Sequence, residues 1–122
     1  MRYLKAETIA PIQYLSCGKL LSMDGFLHPK RKLDSTVLIL VNEGTLYVAQ
    51  DGHRYEIDKN QFIIFYENSL HWGWKKSIAM LSYYWVHFRL PRDVNQIFCD
   101  QTSIMKLLNE SEPLEEQNPF EK

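Results

Sequence analysis

At 122 residues the chain has room for one domain around one hydrophobic core and hardly for two. Its 45% hydrophobic and 24% charged content is ordinary for a globular protein. A net charge of −1, with Lys30-Arg31-Lys32 as the densest basic run, excludes a phosphate-gripping nucleic-acid surface.

The aromatic residues stand out: 3 Trp, 7 Tyr and 6 Phe in so short a chain lean towards β structure. Residues 1–35 alternate short apolar pieces (Ile12 to Leu15, Lys19 to Leu21) with Gly18, Gly25 and Pro29. They read as an arm, up to about residue 18, followed by one or two short strands. Glu7, Pro11 and Gln13 interrupt any signal-peptide core, and no run reaches the length of a membrane span. Thr36 to Val41 is a β-branched strand too apolar to have a solvent face, and Gly44 marks the turn after it. Strands at 45–50 and 53–57 flank Asp51-Gly52, a strong hairpin signal, because a type I′ turn needs φ > 0 at both central positions. Phe62 to Tyr66 reads as a strand buried on both faces. His71 to Trp74 and then Ala79 to Leu90 supply more strands, and Pro91 ends the last.

Several short strands at near-regular spacing predict an all-β fold, a sandwich or barrel. Beyond residue 92, Val94, Ile97, Phe98, Ile104, Met105 and Leu108 fit a helical stripe, although Ile97-Phe98-Cys99 fits one more strand equally well. Residues 109–122 are polar and acidic and read as a linker or tail. The folded domain thus spans 1–108, with 1–18 as its arm. Cys17 and Cys99 lack CxxC spacing and read as reduced, buried hydrophobes, which favours a cytoplasmic protein.

Tyr83-Tyr84-Trp85-Val86-His87-Phe88 resembles the strand that closes the ligand-binding barrel of AraC-type sensor domains. His28-Pro29-Lys30-Arg31 resembles the His-Pro-x-Arg entry to that barrel. The order between them, Gly44 turn, Gly52 hairpin, strand 62–66 and then His71, also follows the family over residues 20–90. Two turns depart from it: Asn60-Gln61 stands where Gly-Asp is usual, and Glu67-Asn68-Ser69 where a Pro-Gly or Pro-Pro step is frequent. The resemblance implies a cupin-like jelly roll with a short helical or irregular C-terminal tail. It implies a small effector, often a sugar, and a C-terminal helix-turn-helix domain that this chain does not contain. DNA would be reached only through that domain. The arm would fold over the ligand as in sugar-sensing members.

Cupin enzymes hold a metal with a His-x-His pair, whose i, i+2 spacing aims both imidazoles into the barrel. His28, His53, His71 and His87 contain no such pair, so neither metal nor other cofactor is expected. By period 2, Tyr83, Trp85 and His87 share one strand face, and Tyr84, Val86 and Phe88 the other. The first set combines flat rings with polar handles and suits the wall of a polyol site. The alternative is that these rings plug the barrel or face outward. Arg31 belongs at the mouth, where it would grip a hydroxyl pair or a carboxylate, or else forms a surface ion pair. His28, His71 and Trp72 complete the candidate effector site, with Trp72 as a roof; core packing competes for each. The expected function is therefore a regulatory, non-enzymatic sensor whose effector shifts the arm, the linker or a homodimer contact. A stand-alone metal-dependent cupin isomerase or oxygenase is the rival, and a filled dimerisation module is a third reading.

Overall fold

The computed structural model describes residues 3–5, 11–91 and 97–99. The chain divides into two units, residues 10–91 and residues 1–9 with 92–122. The smaller unit contains an antiparallel pair, β1 (Tyr3–Lys5) with β10 (Ile97–Cys99). Ile97-Phe98-Cys99 is thus a strand. The rest of the stripe from Val94 to Leu108 and the acidic tail 109–122 lie outside the described residues.

The larger unit holds β2 (Gln13–Ser22), β3 (Arg31–Lys32), β4 (Thr36–Glu43), β5 (Leu46–Gln50), β6 (His53–Ile57), β7 (Phe62–Phe65), β8 (Leu70–Gly73) and β9 (Leu81–Arg89). They form two four-stranded antiparallel sheets, β2-β9-β4-β7 and β3-β8-β5-β6. Every connection except the β5–β6 hairpin crosses from one sheet to the other, which is the winding of a jelly roll. Asp51 (φ 52°) and Gly52 (φ 76°) both take the left-handed conformation their hairpin requires. Where the family places Gly-Asp, Asn60 adopts φ 66°, and Asn68 does the same at 61° in the next turn. Asn tolerates this region through local hydrogen bonding, so both departures leave the turns intact. No helix among the described residues is long and apolar enough to cross a membrane.

The core lies between the sheets. Val37, Ile39 and Val41 of β4 meet Leu46 and Val48 of β5, Ile63 and Phe65 of β7, and Leu81 of β9 in one buried cluster. Each such side chain contributes roughly 1.5–3 kcal/mol on burial. Gln50 fastens the sheets together. From β5 its Nε2 donates to the Ile64 carbonyl (3.1 Å), and its Oε1 accepts from the Tyr66 amide (2.9 Å).

Four expectations need correction. β4 does have a solvent face, since Leu40 is 42% exposed, and Phe62 of β7 is 62% exposed rather than buried. An all-apolar run conceals the alternation that a mixed run displays, so sidedness could not be read there. Residues 13–22, divided at Gly18 in the sequence reading, form one continuous strand. Cys17 is a free, exposed thiol on it, accepting a 3.4 Å hydrogen bond from the Tyr14 hydroxyl.

Candidate functional site

β9 lies between β2 and β4, and its inward face sets one wall of a cavity. Register fixes the neighbours of each ring. Tyr83 pairs with Leu20 and Val41, Trp85 with Gly18 and Ile39, and His87 with Ser16 and Val37. Along that face burial falls in steps. Leu81 has no exposed surface and Tyr83 is 6% exposed, whereas Trp85 and His87 are half-buried. On the opposite face Tyr84 is exposed and Val86 and Phe88 are half-buried. The cavity beside Trp85 measures about 470 Å³, within the roughly 300–1,000 Å³ of small-molecule sites.

Gly18 explains where the indole goes. A Cβ at this position would stand 2.6 Å from Trp85 Cζ2 and 2.9 Å from its Cε2. The bare backbone of β2 therefore lets the ring lie across the neighbouring strand. Trp85 also meets His87 edge to face at 5.3 Å, and His87 Nδ1 lies 3.4 Å from Ser35 Oγ, which steadies the imidazole. Phe26 packs edge to face on Tyr83 at 5.9 Å.

The other sheet contributes the polar wall. Arg31 of β3 pairs in register with His71 of β8, and His28 precedes β3 in the same loop. His28 Nε2 and His71 Nδ1 are 3.1 Å apart, so one ring donates to the other. His71 is 2% exposed and stacks on Phe65 at 4.1 Å and 7°. Gly73 admits the His28 loop: a Cβ there would stand 2.6 Å from the His28 amide, whose own carbonyl accepts from the Gly73 N–H at 2.9 Å.

Burial first, then the nearby His71 and Arg31, lowers the His28 pKa from 6.5 to about 3. Burial, then Arg31 and His87, lowers His71 to about 4. His87 is lowered by the same two effects, burial ahead of Arg31. Burial raises the Tyr83 phenol, with Arg31 opposing. The imidazoles are therefore neutral at neutral pH, each offering one donor and one acceptor. His28 Nδ1 is buried and has no hydrogen-bond partner.

Six of the seven residues singled out in the sequence border this one cavity: His28, Arg31, His71, Tyr83, Trp85 and His87. Arg31 is exposed, as a residue at the mouth should be. Trp72 does not belong to the lining; it borders a separate shallow hollow with Leu27, Lys30 and Leu70. The reason is parity: adjacent residues of β8 point to opposite faces, so His71 and Trp72 cannot share a wall. His53 is exposed in its hairpin. Sequence reasoning missed Ser16, Leu20, Phe26 and Leu33, which border the same cavity with Pro29, Val37 and Ile39. Ser16 and Leu20 become visible only once β2 is known to pair with β9. Among the described residues no three His, Cys, Asp or Glu side chains gather to hold a metal ion.

Two antiparallel sheets wound as a jelly roll are the architecture of cupins, and solved cupins superpose on it. A cupin superfamily protein from Desulfitobacterium hafniense DCB-2 aligns with a TM-score of 0.54 at 10% identity, covering 73% of this chain and 78% of that one. The Cupin_2 domain of an XRE family transcriptional regulator from Enterobacter cloacae aligns at 0.52 and 14% identity, covering 75% and 98%. These likenesses show the fold. Residues 15–112 match the AraC-like ligand binding domain, and the chain belongs to that family. It is 30% identical over 82 residues to an uncharacterized HTH-type transcriptional regulator, YisR, of Bacillus subtilis (strain 168). That match takes in 66% of this chain and 29% of the relative, so the chain spans under a third of that regulator.

Proposed function

We propose that the cavity beside Trp85 is an effector site, and that the chain is the sensing module of a regulator whose helix-turn-helix domain lies outside it. The observation that carries this reading is unfilled space where a packing module would have side chains. Trp85 and His87, with the edge of the core residue Tyr83, border about 470 Å³ of cavity. The effector is a small polar molecule of the sugar class. Trp85 offers a flat ring to a C–H face, while Tyr83, His87, Ser16 and Arg31 offer donors to its oxygens. Binding would shift the arm, the linker or a contact between two copies, and so the placement of DNA-binding heads. The domain binds its ligand and does not transform it.

The test is a thermal-shift screen of sugars, polyols and sugar acids on the wild-type chain and on Trp85→Ala. A hit should raise the wild-type melting temperature. Its affinity should fall by on the order of 1–3 kcal/mol in the variant, by analogy with other ring-stacking sites. A compound that stabilises both proteins equally binds elsewhere and contradicts the reading.

A further inference from the structure

The polar groups of the cavity are unevenly matched. Among the described residues lining it there is no Asp, Glu, Asn or Gln. The buried carboxamide of Gln50 is spent on the backbone of Ile64 and Tyr66. What remains is donor-rich. Arg31 only donates, Trp85 only donates, and Ser16, Tyr83 and the neutral imidazoles each both donate and accept. A neutral polyol brings as many donors as acceptors and needs acceptors on the wall, whereas a carboxylate only accepts.

The charge count points the same way. Arg31 is the single formal charge in the lining, and its guanidinium has no hydrogen-bond or ion-pair partner among the described residues. Asp34, three residues on, is taken by Arg89 at 2.9 Å. The guanidinium acts on His28, His71, Tyr83 and His87 alike, so its uncompensated field reaches across the cavity. Leu20, Leu33, Ile39 and Phe26 make the rest of the lining apolar, which strengthens that field and penalises a second negative charge.

We propose that the effector is a monocarboxylate, its acid group held by Arg31 at the mouth and its ring or chain lying along Trp85. This rests on the effector-site reading above and narrows it to acids. A planar guanidinium and a carboxylate match in two parallel hydrogen bonds, which a lone hydroxyl cannot supply. One positive charge meets one negative charge, and the neutral histidines satisfy the remaining lone pairs.

The experiment titrates the full chain with matched pairs that differ only in the acid group: galacturonate and galactose, glucuronate and glucose, gluconate and sorbitol. In at least one pair the acid should bind ten-fold or more tightly than its partner. Arg31→Gln should erase that preference and Arg31→Lys keep part of it, while Trp85→Ala weakens binding of either member. A neutral partner that binds as tightly as its acid, in a Trp85-dependent manner, overturns the inference and leaves the effector site standing. Acid binding untouched by both Arg31→Gln and Trp85→Ala overturns both. If no member of any pair binds, quenching of Trp85 decides, measured in Trp72→Phe/Trp74→Phe so that it is the sole indole. Iodide should then quench Trp85 at least twice as well, relative to acrylamide, as it does in the Arg31→Gln version. Equal quenching in the two proteins overturns the proposal.

Discussion

At one end of β9, Leu81 and Tyr83 belong to the same buried cluster as Val41, Leu46 and Val48. At the other end of the same face, Trp85 and His87 look onto a cavity with Arg31 at its rim. The two ends share a strand, a sheet and a side-chain parity, yet one is filled and the other is not. What separates them is the residues opposite. β4 and β5 supply Val and Leu to the closed end, while the loop and strand at 28–31 supply His28 and Arg31 to the open one. The closed end holds the jelly roll together, and the open end is free to take a ligand without the fold depending on it.

The sharpest way to break that comparison is to truncate one ring or chain at each end. Leu81→Ala removes a fully buried side chain and should cost about 2–5 kcal/mol in urea unfolding. Trp85→Ala removes a larger side chain and should cost less than half as much. A Trp85 loss equal to that of Leu81 would mean the open end is core after all.

Acid should probe the open end, because the buried imidazoles His28 and His71 belong to its wall. The His28 and His71 pKa values are lowered, from 6.5 to about 3 and about 4. The unfolded chain therefore takes up their protons first as pH falls. The stabilising effect of keeping them neutral is complete above about pH 6.5, declines down to about pH 4, and levels off below about pH 3. Each histidine contributes a slope of at most about 1.4 kcal/mol per pH unit, less what solvent at the mouth screens. His71→Phe, which keeps the stack on Phe65, should flatten the curve. An unchanged slope would place the titrating groups elsewhere.

Gln50 tests the join between the sheets rather than either end. Gln50→Leu leaves the Ile64 carbonyl and the Tyr66 amide without their partner and should cost about 1–3 kcal/mol. Equilibrium unfolding of that variant should show the loss without any change in ligand affinity. The smallest effect on stability is expected at Gly18. Gly18→Ala pushes the Trp85 indole off β2, so its fluorescence maximum should move and effector affinity should drop while the unfolding midpoint barely changes. An unmoved spectrum would show that the indole has another resting place.

Much of the closed end was legible in the sequence. The Asp51-Gly52 hairpin and the positions of the strands that flank it followed from local turn chemistry and alternation. The parity of Tyr83, Trp85 and His87 was legible too, because that strand mixes polar handles with plain hydrophobes. The same rule applied to His71-Trp72 would have removed Trp72 from the site. The open end was harder, since it depends on which strands meet. His28 and His71 are 43 residues apart and touch only because β3 pairs with β8. Gln50 offers no sign in sequence that its amide reaches β7. Leu40 and Phe62 show the opposite failure: an apolar run gives no hint that one of its faces is open to solvent.

The central claim is that ligand enters beside Trp85, and the indole N–H resonances of the three tryptophans report on it directly. Titrating the ¹⁵N-labelled chain with the best-binding compound of the matched pairs should move the Trp85 indole signal in a saturable manner. The Trp72 and Trp74 signals, from the other sheet's outer hollow and from an indole donating to the Tyr55 carbonyl, should stay in place. Movement of Trp72 or Trp74 with Trp85 still would contradict the account.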